Sequence, residues 1–177
     1  MSLQTHFADT RPKLFLDMDG VLCDFVTAAE RVMVERNLDR AEVAREYGFY
    51  LGLAPLPGAI EAVGELDKVF NIYILTTPKW SNPSSFMEKR MWIERHLYNP
   101  GFKKLILTHN KGLFSGRALV DDNPTRNNQN AFGGELIVFG QSPFEDWSKV
   151  LPYLLENPNK APHNHDNDWI EDIANGR

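Results

Sequence analysis

Leu14-Phe15-Leu16 is a short apolar run that ends abruptly on two acids, Asp17 and Asp19, with Gly20 directly after them. Such a run has the length and composition of a strand buried on both faces. A buried strand that delivers two carboxylates is costly unless a cation or a proton compensates them. Residues two apart on an extended chain point the same way, so both side chains can address one point. One carboxylate could attack phosphorus while the other protonates the leaving oxygen. A divalent cation would hold the first as an anion and draw a phosphate in. The plainer alternative is an acidic turn that caps the next helix, since Asp and Gly are common there.

The arrangement recurs along the chain. Residues 71–75 form a second apolar strand, which ends on Thr76, Thr77 and Pro78. Residues 103–107 form a third, with Lys111 in the loop beyond it. Residues 117–120 form a fourth, ending on Asp121 and Asp122, and 135–139 a fifth. Between them, spacing and capping residues predict helices over 23–37, 40–47, 59–69, 83–98 and 144–155. Strand–helix alternation of this kind argues an α/β fold, a three-layer doubly wound parallel sheet with helices on both faces. Ligands in such sheets sit beyond the carboxyl ends of the strands, where the strand order reverses. Asp17 and Asp19, Thr76 and Thr77, Lys111, and Asp121 and Asp122 all fall at that end.

Each cluster has a chemical use and a bland one. A Thr76 hydroxyl could bond a phosphate oxygen, or simply favour the strand. Lys111 could neutralise a carboxylate and a phosphate, or be a solvated loop residue. Asp121 and Asp122 repel each other unless a cation intervenes, though a turn into Pro124 would also use them. Lys89 sits on the helix after the second strand and can reach the site if that helix starts beside the phosphate. Phe25 follows the acids directly, and Phe49 and Tyr50 are flanked by glycines. Together they could form the wall that selects the organic part of a substrate, or glue a short insert to the sheet.

The bulk properties narrow the partners. With 177 residues, 42% of them hydrophobic, the chain suits one ordinary domain with a proper core, or one domain with a small insert. We expect a core of residues 1–25 and 55–156, a helical cap over 26–54 and a polar tail over 157–177. The net charge of −5 gives no basic footprint for duplex nucleic acid. An anionic substrate must then be held locally. A single cysteine, Cys23, excludes an internal disulfide, and no apolar run approaches a membrane span. These features predict a cytoplasmic protein with no membrane partner, while the oligomeric state is left open. His163 and His165 lack further nearby ligands and read as tail.

At this point the sequence resembles the haloacid dehalogenase (HAD) superfamily of phosphohydrolases. Asp17-Met18-Asp19-Gly20-Val21 looks like its first motif, Thr76 its second, Lys111 its third and Asp121-Asp122 its fourth. Further strings are similar to those of the 5′(3′)-deoxyribonucleotidases. These are Gly48-Phe49-Tyr50 ahead of Pro55-Leu56-Pro57-Gly58-Ala59, then Thr76-Thr77-Pro78, Glu88-Lys89-Arg90-Met91-Trp92-Ile93-Glu94 and Leu119-Val120-Asp121-Asp122-Asn123. The resemblance runs from about residue 13 to 155.

It implies a HAD-like Rossmannoid core with a cap after the first strand, and Mg²⁺-dependent hydrolysis of a small phosphorylated metabolite, a nucleoside monophosphate. Asp17 would be the nucleophile and Asp19 the acid, then the base. Mg²⁺ would be bound by the Asp17 carboxylate, the Asp19 carbonyl and one acid of the fourth motif. That acid would be Asp122, with Asp121 orienting Lys111, or the reverse. Thr76, Thr77, Lys111 and Lys89 would hold phosphate, with Phe25, Phe49 and Tyr50 near the base or sugar. The cap is shorter than in that family. Two alternatives are a phosphatase for another small phosphomonoester and a phospho-acceptor signalling domain. The second has no use for an acid two residues after the phosphorylated Asp, so Asp19 separates it from turnover.

Overall fold

The computed structural model describes residues 9–160; the tail readings for His163 and His165 lie outside them. Five strands, β1 (Lys13–Leu16), β2 (Asn71–Thr76), β3 (Leu105–Leu107), β4 (Ser115–Asp121) and β5 (Gly133–Val138), pair in the order β3-β2-β1-β4-β5, all parallel. Leu16 lies opposite both Ile74 and Val120. The carboxyl ends of the three central strands are therefore level. The chain builds outward from β1 to β3 on one side, then crosses to β4 and β5 on the other. The strand order reverses between β1 and β4, where a parallel sheet leaves a crevice.

Strand parity sorts the core. Leu14, Leu16, Ile72, Ile74, Ala118, Val120 and Ile137 face a large cluster, completed by α3 (Ala59–Leu66), α4 (Ser84–His96) and α6 (Trp147–Glu156). Phe15, Leu75 and Leu119 face the other way and pack on Phe132, with Tyr73, Phe114 and Leu136 at the margin. Here the structure departs from the expected helical layer. The connections 108–114 and 122–132 hold only two 3₁₀ turns, Lys111–Leu113 and Gln129–Ala131. Crossover helices need a dozen or more residues. Aromatic packing takes their place: the Phe15 ring lies 5.6 Å from Tyr73, 6.0 Å from Phe114 and 5.4 Å from Phe132.

Helix ends also differ from those expected, for local reasons. The Asp24 carboxylate accepts the Thr27 N–H at 3.0 Å, so α1 starts at Phe25 and runs to Arg36, closed by Asn37 in the left-handed region. Asp39 and Glu42 form a reciprocal capping box for α2 (Arg40–Val43). Arg45 and Glu46 then bond back only three residues, to Glu42 and Val43, and the helix ends before 47. The last helix begins at Trp147, where Asp146 caps it through the Ser148 N–H. A one-turn helix, α5 (Tyr98–Gly101), was not anticipated. No helix among the described residues is long and apolar enough to cross a membrane.

The insert leaves and re-enters the core at one place. Asp24 N–H bonds Ala54 O, and Leu56 N–H bonds Leu22 O, both at 2.9 Å. Its returning half is pinned by α4 and the loop before it. Asn82 Nδ2 donates to Ala44 O at 3.1 Å, Trp92 Nε1 to Leu53 O at 2.8 Å and Arg95 Nη1 to Leu51 O at 3.3 Å. Glu88 accepts the N–H groups of Gly48 and Tyr50.

Candidate active site

The ladder between β1 and β4 runs one residue past β1, with Asp17 N–H bonding Val120 O at 2.9 Å. This places Asp17 beside Asp121. The chain then turns tightly: the N–H groups of Val21, Leu22 and Cys23 converge on Met18 O. From α6, Trp147 Nε1 donates to Val21 O at 2.8 Å and holds the turn from outside. Gly20 adopts φ 78°, and a Cβ there would lie 2.6 Å from Asp122 Oδ2. Only glycine lets the turn and that carboxylate approach so closely.

Two buried ammonium groups serve these acids. Lys111 Nζ lies 2.8 Å from Asp17 Oδ1, in ionic contact, and donates to Asp121 Oδ2 at 2.5 Å. Burial works against its charge, but Asp17 and Asp121 outweigh it and raise its pKa. Lys89 Nζ donates to Asp19 Oδ2 at 2.7 Å and to Thr76 Oγ1 at 3.1 Å. Desolvation pushes the Asp19 carboxyl up, aided by the Asp17 charge, while Lys89 pulls it back. The Cys23 thiol, raised well above its usual range by burial, donates to Met18 O and stays protonated.

Asp121 and Asp122 are neighbours with different surroundings. Asp121 is fully buried, and both its oxygens are engaged: Oδ2 by Lys111, and Oδ1 by Asn123 N–H at 2.9 Å and Gln129 Nε2 at 3.2 Å. Asp122 is exposed and accepts no hydrogen bond from the described residues. Desolvation and the Asp17 charge raise both pKa values to about 6. Carboxylate oxygens of Asp17, Asp121 and Asp122 lie within 4.8 Å of one another. Four acids here outnumber the two ammonium groups that face them. A hard dication with oxygen ligands fits both the charge and the donor set.

Above the strand ends is an open cavity of about 460 Å³. Asp17, Asp19, Thr76, Thr77, Asp121 and Asp122 form its floor, while Phe25 and Tyr50 line the side given by the insert. The Thr77 hydroxyl is buried without a hydrogen-bond partner among the described residues. Phe49 does not line the cavity. It stands behind the wall, edge-on to Phe25 and to Tyr50 at 5.4 Å each. Lys89 and Lys111 also lie beneath the floor and act on it through the acids they touch.

A family model described as "5′ nucleotidase, deoxy (Pyrimidine), cytosolic type C protein" matches residues 40–148. A protein of Vibrio phage KVP40, whose name assigns it to the 5′(3′)-deoxyribonucleotidases, is 40% identical over 81% of this chain and 85% of its own. The chain belongs to the 5′(3′)-deoxyribonucleotidase family. The human cytosolic-type 5′(3′)-deoxyribonucleotidase is 30% identical, over 78% of each chain. Members of this family are phosphoric monoester hydrolases. Among solved structures, the HAD-hydrolase YfnB of Bacillus subtilis, bound to magnesium, covers 82% of this chain and 99% of its own with a TM-score of 0.54. At 12% identity that likeness concerns the fold, which is HAD-like.

The deoxyribonucleotidase family model begins at Arg40, so Asp17, Asp19 and Phe25 precede the matched segment. Sequence reasoning did not single out Gln129, Glu88 or the cationic rim of Arg40, Lys79 and Arg126. Gln129 sits in a polar stretch with no periodicity to mark it. Arg40 carried one usable signal: it follows the capping residue Asp39 and so heads a helix on the insert. Its guanidinium lies 5.1 Å from the Phe25 ring centroid.

Proposed function

We propose that the chain is a Mg²⁺-dependent 5′(3′)-deoxyribonucleotidase that hydrolyses nucleoside monophosphates through an aspartyl-phosphate on Asp17. The observation that carries this reading is the pairing of Asp17 with Lys111 and of Asp19 with Lys89 at one strand end. Asp17, the Asp19 carbonyl and Asp122 would hold the ion, since Asp121 is already committed to Lys111, Asn123 and Gln129. When bound, Mg²⁺ supplies charge neutralisation and polarises the phosphoryl oxygens.

The side chains divide the remaining work. An Asp17 carboxylate oxygen attacks phosphorus as the bond to the nucleoside oxygen breaks. That oxygen takes a proton from Asp19, whose raised pKa keeps the proton available. Asp19, now a carboxylate, accepts a proton from the water that attacks the aspartyl-phosphate. Phosphate leaves and Asp17 is restored. Lys111 keeps Asp17 in place and offsets its charge, and Lys89 aims Asp19 and holds Thr76. The unpartnered Thr77 hydroxyl is a donor for a phosphate oxygen.

Residues 26–54 act as the cap, with Phe25 and Tyr50 against the nucleoside and Phe49 as their backing. A cytoplasmic location accords with the unpaired Cys23. Phosphate release across a panel of deoxy- and ribonucleoside monophosphates and sugar phosphates, with Mg²⁺ and with chelator, tests the reading. Turnover preferring the nucleotides and lost with chelator is expected. Equal turnover of sugar phosphates would favour a generic phosphatase.

A further inference from the structure

Glu88 is a buried carboxylate that the scheme above does not use. It lies on the inward face of α4, 1% exposed, and forms no ion pair among the described residues. Its oxygens are instead spent on the backbone of the insert. Oε1 accepts Gly48 N–H at 2.8 Å and Oε2 accepts Tyr50 N–H at 3.0 Å. The Ser84 hydroxyl lies 2.5 Å from Oε1, sharing its one proton between that oxygen and Asn82 Oδ1. Gripping residues two apart orients the Tyr47–Gly48 and Phe49–Tyr50 peptide planes.

The next residue of the helix is Lys89. Consecutive helical side chains diverge by about 100°, so Glu88 reaches the insert while Lys89 crosses to Asp19 and Thr76. Tyr50 is caught between them. Its backbone is tied to Glu88, and its ring centroid lies 4.9 Å from Lys89 Nζ. One helix thus sets both the acid at the reaction centre and the ring at the wall.

We propose that Glu88 is a positioning residue for substrate selection: by holding the Gly48 and Tyr50 N–H groups it fixes the Tyr50 ring where a nucleoside packs, without touching substrate. The proposal rests on the nucleotidase reading given above. Glu88→Gln is nearly isosteric but sets an NH₂ against one of the two backbone donors, so a charge-assisted bond is replaced by an unsatisfied group.

The test is steady-state kinetics with Mg²⁺ on deoxythymidine 5′-monophosphate and on acetyl phosphate, which has no ring to select. Glu88→Gln should raise KM for the nucleotide about 5- to 150-fold, the range that one unmet buried hydrogen bond gives. Its kcat on the nucleotide and its kcat/KM on acetyl phosphate should stay within about 2-fold of wild type. In a Tyr50→Leu background the same change should add nothing further to the nucleotide KM, because the two act as one unit.

Equal losses on both substrates, or full additivity with Tyr50→Leu, would overturn the role of Glu88 while leaving the nucleotidase reading intact. A wild type with no preference for the nucleotide would remove that reading and the proposal with it. If Glu88→Gln does not fold, Ser84→Ala removes the one hydroxyl that Glu88 Oε1 and Asn82 Oδ1 share and leaves the Gly48 and Tyr50 bonds in place. It should show the same split at smaller size, and its absence counts against the proposal.

Discussion

At the strand ends, Asp17, Asp19 and Asp121 each meet an ammonium group within 3 Å, and all but Asp19 are buried. On the insert, Phe25, Phe49 and Tyr50 meet one another through tilted and edge-on rings, with centroids 5.4 to 6.1 Å apart. The floor is held by charges that need particular partners. Breaking one buried pair strands the other charge, at about 3–5 kcal/mol. The wall is held by dispersion and ring quadrupoles, about 0.5–1.5 kcal/mol per pair beyond burial. On the proposed reading, chemistry at the floor is intolerant of change, while selectivity at the wall can be retuned in small steps.

The sharpest way to break this contrast is Asp17→Asn, which keeps the shape and removes the anion proposed as nucleophile. Turnover should fall by about four orders of magnitude or more, measured by phosphate release, with the fold checked by circular dichroism. Near-normal turnover would sink covalent catalysis through Asp17. Asp19→Asn should cost about 10²- to 10⁴-fold on a nucleotide, whose alkoxide needs a proton as it leaves. An activated aryl phosphate should lose far less. Equal losses on both substrates would count against an acid at this position.

The wall should respond on a smaller scale. Tyr50→Ala should lose about 5- to 150-fold in preference for a nucleotide over a minimal aryl phosphate, the range set by one stacked base. Phe49→Ala, which removes only the backing, should lose less. Unchanged preference in both variants would favour a generic phosphatase.

The smallest effect concerns pH. Asp121 and Asp122 have folded pKa values of about 6 against an ordinary 3.8. The folded state therefore binds their protons more tightly than the unfolded chain does. That contribution is complete below 3.8 and is lost as pH rises through about 6. Metal-free protein should gain several degrees in Tm between pH 7 and pH 5, partly offset by His96, whose pKa burial lowers. Asp122→Asn should reduce the gain, and saturating Mg²⁺ should abolish it. A metal-free Tm that falls steadily over this range would contradict the account.

The floor was more legible in the sequence than the wall, for the same physical reason. A buried strand that runs into Asp17, Thr76 or Asp121 breaks its own hydrophobic pattern, and the break marks the residue. Lys89 and Glu88 follow no such rule. Both sit on one helix with no break in pattern to mark them, and only tertiary packing shows that Lys89 crosses to Asp19 while Glu88 turns to the insert. Gln129 is silent for a related reason, since its value comes from the lone pair it satisfies on Asp121. The helix-free Phe15 face is equally silent, because strand–helix alternation does not reveal that connections 108–114 and 122–132 hold only 3₁₀ turns. The starts of two helices moved inward to follow the caps Asp24 and Asp146, whereas the Asp39 cap set its helix where the sequence placed it.

The stitching of the insert to α4 bears on how this protein could be re-engineered. Residues 25–54 enter and leave at one point, which invites exchange for another sequence as a cassette. Yet Asn82, Glu88, Trp92 and Arg95 each bond a backbone group of that segment, over more than three turns of chain outside it. A chimera that swaps 25–54 alone would leave a buried carboxylate and an indole N–H facing foreign backbone. Residues 82–95 must travel with the graft, and Lys89 travels with them, so the transplanted insert brings along the cation that holds Asp19.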